Sequence, residues 1–147
     1  ASAVGEVNVV TTMKATKAVI GGEGNGGVIV PDFHYGRDAL IGIGLFLSHF
    51  AKAGQSMAAL KASYPAYEMV KDKIQLSPEL DVDAILRRLE DIYRKEDRNT
   101  IDGLKINFKK GWVHLRKSNT EPIIRVYAEA GDQTTAQQFV DQIKSYI

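Results

Sequence analysis

The sequence of 147 residues contains no cysteine, which excludes disulfide bonds, thiolate metal ligands and a cysteine nucleophile. It also lacks an excess of charge of one sign, because 19 Lys and Arg side chains balance 18 Asp and Glu side chains to a net charge of +1. A broad positive surface for nucleic acid or anionic membranes is therefore not expected. Recognition of an anion would have to be local.

Long hydrophobic runs are absent as well. The longest apolar stretch, Ala39 to Phe50, spans about twelve residues and contains Ser48 and His49, so it is too short to cross a bilayer. No signal peptide is evident at the start of the sequence. We therefore expect a cytoplasmic protein with neither a membrane nor a nucleic acid as partner.

The first part of the chain mixes helical patterns with a glycine-rich segment. Residues 4–17 are compatible with a helix, and residues 18–20 and 28–30 are predicted to form two short strands around a run of glycines. The segment Gly36-Arg37-Asp38 is predicted to lead into a helix that runs to about residue 53 and ends at Gly54. This helix is apolar on almost every side, which predicts burial on two faces.

A different pattern begins after the Tyr-Pro-Ala-Tyr segment, which we interpret as a boundary between two structural units. A strand is predicted over residues 67–76, followed by an amphipathic helix, a β-hairpin over residues 104–115, a strand over residues 123–129 and a last helix. The order β-α-β-β-β-α predicts an α+β fold, in which two helices cover one face of an antiparallel sheet.

The loop between the last two predicted strands has the side chains that suit a phosphate group. Two guanidiniums, two hydroxyls and one amide surround a single turn: Arg116, Ser118, Asn119, Thr120 and Arg125. A guanidinium can bind two phosphate oxygens at once, and the hydroxyls, the amide and backbone N–H groups can donate to the third. The alternative interpretation is a polar turn whose arginines form surface ion pairs.

The glycine run Gly22–Gly27 matches the dinucleotide-binding pattern G-x-G-x-x-G formally, but that pattern requires a helix after its last glycine. Here a strand is predicted instead, so we reject a dinucleotide site. The loop presents Glu23 and Asn25, which could bind vicinal sugar hydroxyls or could be solvated turn residues. Arg37 could assist in binding an anion, or it could simply precede a helix capped by Asp38.

The sequence offers neither a nucleophile beside a base, nor a carboxylate cluster, nor a P-loop, and its three histidines lack metal-ligand spacing. We therefore predict no catalytic residue and no metal ligand in this chain. Taken alone, these features also suit a non-catalytic module that binds phosphorylated ligands.

Two loops together carry a resemblance to a known family. Arg-Lys-Ser-Asn-Thr-Glu-Pro-Ile-Ile-Arg, from Arg116 to Arg125, is similar to the phosphate-binding loop R-x-S-[GN]-T-E-P-x-x-R of the α-D-phosphohexomutases. Gly-Gly-Glu-Gly-Asn-Gly-Gly, from Gly21 to Gly27, resembles the sugar-binding loop of that family, usually G-E-x-S-G-H. The family includes phosphoglucomutase/phosphomannomutase and phosphoglucosamine mutase, and the resemblance spans nearly the whole chain.

The resemblance implies a four-domain enzyme that interconverts hexose 1-phosphates and 6-phosphates through a bisphosphate, with this chain as its C-terminal third. The phosphoserine loop and the Mg²⁺ loop would lie in N-terminal domains outside this chain, so the fragment alone is predicted to be inactive. Residues 1–58 would be the remnant of a truncated α/β third domain that binds sugar, residues 59–66 a hinge, and residues 67–147 the phosphate-binding domain. The implied partners are a hexose or hexosamine phosphate and the missing domains.

The resemblance also assigns roles to individual residues. Glu23 and Asn25 would contact sugar hydroxyls, and the five loop residues named above, from Arg116 to Arg125, would hold the phosphate that is not reacting. Asn25 stands where the family usually has Ser, and Gly27 where it usually has His. The choice among glucose, mannose and glucosamine phosphate therefore stays open.

Overall fold

The computed structural model of the chain describes residues 1–77, 81–118 and 121–147. It divides into two compact units, Ala1–Pro65 and Ala66–Ile147. The first unit contains α1 (Glu6–Thr16), β1 (Gly21–Gly22), β2 (Val28–Ile29), α2 (Ala39–Ala53) and α3 (Met57–Ala62). The second contains β3 (Glu68–Gln75), α4 (Val82–Ile92), β4 (Asp97–Asn99), β5 (Leu104–Phe108), β6 (Gly111–Lys117), β7 (Ile123–Ala130) and α5 (Gln133–Lys144). Over the ranges described, none of these helices has both the length and the apolar character of a membrane span.

The helix α2 begins and ends where the sequence predicts. The Asp38 carboxylate accepts a hydrogen bond from the Ile41 N–H at 3.0 Å, and Gly54 ends the helix in the left-handed conformation, with φ 61°. The predicted burial of α2 on two faces is wrong for this unit, because none of its residues is buried. The small core of the unit contains Val9, Met13 and Ile29, and the two-residue strands offer no sheet on which α2 could pack.

The first predicted strand is displaced along the chain. Residues 18–20 lie outside any strand, and β1 is formed instead by Gly21 and Gly22, which pair with Ile29 and Val28 of β2. A Cβ on Gly21 would lie 2.2 Å from the Met13 sulfur, so α1 packs against this strand only because the residue is glycine. The prediction placed the strand at residues 18–20 because they are apolar, whereas the strand needs glycines where α1 packs against it.

The second unit is a five-stranded antiparallel sheet in the order β3-β7-β6-β5-β4. The α+β prediction is confirmed, and the structure adds one strand to the predicted order, the short β4. Its three residues, Asp97–Asn99, are all polar, so no hydrophobic alternation marks them in the sequence.

One face of this sheet packs on α4 and α5. Alternate residues of the central strands point into the core with the helix residues Leu89, Val140 and Ile143. The strand residues of this core are Leu104, Ile106, Val113, Leu115, Ile124, Val126, Ala128 and Ala130. The intervening residues therefore lie on the other face, which we call the polar face. It includes Lys71, Lys73, Trp112, His114, Arg116, Arg125, Tyr127 and Glu129.

An ion pair between Asp72 of β3 and Lys144 of α5 joins the sheet to the helix that covers it. The hydrogen bond from Lys144 is the largest cause that lowers the pKa of the Asp72 carboxyl below its ordinary value. A lowered pKa in the folded state stabilises the protein above the unfolded pKa, and this contribution is lost as the pH falls through the folded pKa.

We therefore expect Asp72→Asn to cost about 0.5–1 kcal/mol of unfolding free energy at pH 7, as for a well-placed surface pair. The cost should shrink as the pH falls below about 4, where the unfolded carboxyl becomes protonated, and it should vanish below the lowered pKa of the folded carboxyl. Urea denaturation followed by Trp112 fluorescence at several pH values measures this. Lys144→Gln should show the same flattened acid dependence. Parallel stability curves for wild type and both variants would contradict the assignment.

Candidate functional site

The register of β6 and β7 places two arginines directly opposite each other. Arg116 pairs with Arg125, and both side chains lie on the polar face of the sheet. Opposed side chains on antiparallel strands have Cβ atoms about 4.5–5.5 Å apart, and like charges in that position repel each other. Two arginine side chains thus start from neighbouring positions at the base of the loop, an arrangement that an anion bound to both would stabilise.

Each guanidinium is also positioned by a carboxylate. Arg116 Nη1 lies 3.3 Å from Asp102 Oδ2, and Arg125 Nη2 lies 2.9 Å from Glu121 Oε2. The arginine side chains are 28% and 34% exposed, so neither is fully solvated. A guanidinium has five N–H donors in a planar fork, more than one carboxylate oxygen engages. These two pairs orient the guanidiniums at the base of the loop.

A tight turn brings Asp102 to this position. The backbone carbonyl of Asp102 accepts a hydrogen bond from His114 Nε2 at 2.6 Å, and the following residue, Gly103, has φ 74°. A Cβ on Gly103 would lie 2.1 Å from the Leu115 carbonyl oxygen. The turn therefore packs against β6 beside Arg116, and the hydrogen bond from His114 fixes it there.

The loop between β6 and β7, here called the candidate phosphate loop, is fixed at its ends by backbone hydrogen bonds. The Ser118 N–H donates to the Ile123 carbonyl at 3.0 Å, and the Leu76 N–H donates to the Pro122 carbonyl at 2.9 Å. Ser118 is buried, with only 8% of its surface exposed. Asn119 and Thr120, the other two predicted phosphate ligands, lie outside the described residues. The loop is thereby joined both to its own strands and to β3.

The glycine-rich loop of the first unit folds around Glu23. Its Oε1 accepts a hydrogen bond from the Gly5 N–H at 3.0 Å, and its Oε2 lies 3.4 Å from Asn25 Nδ2. Asn25 Oδ1 in turn accepts from the Gly27 N–H at 3.0 Å. A Cβ on Gly22 would lie 2.3 Å from the Gly27 carbonyl oxygen, so this close turn requires glycine. The strand β2 follows the last glycine, which supports the rejection of a dinucleotide site.

A cavity of about 660 Å³ lies beside this loop and is lined by Asn25 and Arg37 among others. Arg37 Nε lies 2.8 Å from Glu6 Oε2, so its guanidinium pairs with Glu6 and not with Glu23. Asp38 caps α2 at the cavity edge, and the Ile41 N–H, followed by the hydrogen bond with His34, lowers the pKa of its carboxyl. The structure thus brings Asn25 and Arg37 to one cavity, while Glu23 is turned toward Gly5.

Asp102 is the residue of the arginine site that the sequence did not reveal. It lies far from the loop in the chain, and only the pairing of β5 with β6 brings it near Arg116. The Asp-Gly pair before a predicted strand was the available signal for a turn. Within the described ranges, no group of three or more acidic or histidine side chains has the arrangement of a metal site.

The second unit is a small α+β domain with a candidate anion site, and both units match models of one protein family. Residues 69–145 match the model of the phosphoglucomutase/phosphomannomutase C-terminal domain, and residues 1–67 match the model of alpha/beta/alpha domain III of the same proteins. The chain therefore belongs to the phosphoglucomutase/phosphomannomutase family, and the family resemblance inferred from its two loops is confirmed.

Individual relatives show how much of such a protein the chain represents. It is 37% identical over 146 residues to the phosphoglucosamine/phosphogalactosamine mutase of Sulfurisphaera tokodaii, covering 98% of this chain and 32% of that protein. It is 37% identical over 140 residues to the phosphoglucomutase/phosphomannomutase of Thermococcus kodakarensis, covering 94% of this chain and 30% of that protein. The chain spans about a third of the length of these relatives.

A solved structure supports the fold. The crystal structure of a phosphoglucomutase/phosphomannomutase family protein from Burkholderia thailandensis matches 97% of this chain and 31% of its own chain, with a TM-score of 0.70 and 23% sequence identity. At 23% sequence identity, this similarity supports the fold alone.

Proposed function

We propose that this chain is the C-terminal part of a phosphohexomutase, in which the opposed arginines bind the phosphate group that is not reacting. The observation that carries the proposal is the direct pairing of Arg116 with Arg125 across β6 and β7. Surface ion pairs alone would not require two like charges to face each other at the base of one loop. The similarity to a phosphoglucosamine/phosphogalactosamine mutase and to a phosphoglucomutase/phosphomannomutase supports the same substrate class.

The proposed reaction interconverts hexose 1-phosphate and 6-phosphate through a bisphosphate, and the contribution of this chain is positioning. A phosphoryl donor outside this chain transfers its phosphoryl group to the free sugar hydroxyl, and the bisphosphate then returns the other phosphoryl group to it. Throughout, the phosphate distal to the donor must be held while the sugar is bound in one of two orientations. A guanidinium suits this task because its N–H groups can donate hydrogen bonds to either phosphate with the same geometry.

The glycine-rich loop would contact the sugar. The Glu23 carboxylate is positioned by a hydrogen bond from the Gly5 N–H, and it can accept further hydrogen bonds from sugar hydroxyls in either orientation of the sugar. The Asn25 amide can donate or accept. Ser118, Asn119 and Thr120 are proposed to complete the phosphate site, and Arg37 is an auxiliary candidate at the cavity beside Asn25. The proposed substrates are the phosphates of glucose, mannose or glucosamine.

The other parts of the proposal concern the whole enzyme. The family resemblance implies Mg²⁺, which would assist phosphoryl transfer by neutralising charge. The described residues offer no fitting ligand set, so we assign the ion to the preceding domains and derive no step through it here. Residues 59–66 remain the proposed hinge, and the first unit ends at Pro65, within that range. The cytoplasm remains the proposed location, in keeping with the absence of cysteine.

Isothermal titration of this chain tests the proposal. We expect both glucose 6-phosphate and glucose 1-phosphate to bind, with affinities within about tenfold of each other, because one arginine pair serves both orientations. Free glucose and a short single-stranded oligonucleotide serve as controls, and both should bind more weakly than either sugar phosphate. Tighter binding of the oligonucleotide, or no response to any of the glucose, mannose and glucosamine 6-phosphates, would contradict the proposal.

A further inference from the structure

We propose that Lys73 is a third cation of the phosphate site, an inference that rests on the proposed function. The register of the strands in the sheet supports this inference. Lys73 of β3 pairs with Arg125 of β7, and Arg125 pairs with Arg116 of β6. These three residues, here called the cation row, therefore lie side by side on the polar face across three neighbouring strands.

The dimensions of the cation row suit one phosphate group. Neighbouring strands lie about 4.8 Å apart, so the row spans about 10 Å between its outer Cα atoms, with Arg125 at its centre. A dianion bound at Arg125 would be within reach of both flanking side chains. Lysine is suited to an outer position because its ammonium group is a point charge on a flexible stem, with three donors that can follow the ligand.

The balance of charge around the cation row also favours an anion. Arg116 is paired with Asp102 and Arg125 with Glu121. Within the ranges that the structure describes, no carboxylate forms an ion pair with Lys73. Three cations next to two carboxylates leave an excess positive charge at the base of the loop.

The neighbouring carboxylate of Asp72 does not compensate for Lys73. Asp72 lies on the helix-covered face, where its carboxylate pairs with Lys144. It accepts a hydrogen bond from the backbone N–H of Lys73, not from the ammonium group.

The strand that contains Lys73 is also hydrogen-bonded to the candidate phosphate loop between β6 and β7. Pro122, within the loop, accepts a hydrogen bond from the Leu76 N–H at 2.9 Å, and its carbonyl lies 3.5 Å from Gln75 Nε2. Lys73 is therefore held in a fixed position relative to the loop, although it precedes Arg116 by more than forty residues in the chain.

Lys71 provides a matched comparison, because it lies on the same strand and the same face, one row away. It pairs with Tyr127, and its Nζ lies 5.7 Å from the centroid of that ring. The two lysines have the same charge and are both exposed, but only Lys73 is opposite an arginine of the site.

The test compares Lys73→Gln with Lys71→Gln by titrating the full 147-residue chain with glucose 6-phosphate at low ionic strength. We expect Lys73→Gln to weaken binding about tenfold, as for the loss of a hydrogen bond to a charged group, and Lys71→Gln to change it less than about twofold. Lys73→Arg, which keeps the charge, should restore most of the affinity. The urea midpoint of Lys73→Gln should equal that of the wild type, whereas a purely structural role of Lys73 would lower it.

Three results would overturn the inference in distinguishable ways. If arginine substitutions at 116 or 125 weaken binding while Lys73→Gln binds as wild type does, Lys73 has no part in the site and the proposed function stands. If the wild-type chain responds to none of the glucose, mannose and glucosamine 6-phosphates, both the inference and the proposed function are overturned. Equal losses in Lys73→Gln and Lys71→Gln would also refute it, because they would indicate general surface charge instead of a specific row.

Discussion

Replacing Gly103 with alanine should destabilise the second unit by about 2–4 kcal/mol. The residue has φ 74°, a conformation in which a side chain is strained, and the added Cβ would lie 2.1 Å from the Leu115 carbonyl oxygen and 3.1 Å from the Arg116 Cα. Because the obstructing atoms belong to the backbone of β6, relief requires the turn or the strand to move. Urea denaturation followed by fluorescence measures the loss, since Trp112 is the only tryptophan and lies in β6.

Gly131→Ala is the matched control for this substitution. It belongs to the same unit, its φ is not positive, and a Cβ there would have no neighbour within 4 Å. We expect a change of no more than about 0.5 kcal/mol for this variant, as for a surface position away from special features. If the two variants unfold at the same urea concentration, the turn at Gly103 does not constrain β6 as described.

Removal of either arginine should have the largest effect on ligand binding. Arg116→Ala is expected to weaken hexose phosphate binding by about 1.5–3 kcal/mol, or roughly 10- to 150-fold, because a charged hydrogen-bond donor is lost. Arg125→Ala should have an effect of similar size. The double variant should lose less than the sum, since the two guanidiniums share one ligand. Isothermal titration of this chain with glucose 6-phosphate gives each affinity.

Two further variants show whether charge or geometry matters at the pair. Arg87→Ala removes the same charge from an exposed position of α4 and should leave the affinity unchanged. Arg116→Lys keeps the charge but loses the planar fork, so it should recover only part of the affinity. Wild-type affinity in Arg116→Ala would exclude this arginine from the site.

Much of the second unit was predictable because local patterns determine it. Leu104 and Ile106 alternate with polar residues, and a glycine-containing turn follows them, so the β5–β6 hairpin is evident in the sequence. Its return strand delivers Arg116 to the loop, and the next strand contains Arg125. The candidate phosphate loop could thus be located before its geometry was known.

Long-range pairing could not be predicted in the same way. The sheet order β3-β7-β6-β5-β4 places the first strand of the unit beside the last, and no local pattern states this. The positions of Lys73 beside Arg125 and of Asp102 beside Arg116 depend on that order and on strand register. A residue more than forty positions away reaches the site only through the tertiary fold.

The first unit shows the limit of hydrophobic patterning. The apolar surface of α2 suggested burial, yet large side chains such as Leu40 and Leu47 are exposed in this chain. Burial depends on the presence of an opposing surface, which a single helix cannot specify. The end caps Asp38 and Gly54 were predictable because they depend only on the adjacent backbone.

A crystal structure of this chain with glucose 6-phosphate is the most direct test of the central claim, that the opposed arginines form a receptor for a sugar phosphate. The predicted result is a phosphate group within hydrogen-bond distance of both Arg116 and Arg125, at the base of the loop. A ligand bound elsewhere, with the arginines still paired only to Asp102 and Glu121, would contradict the account.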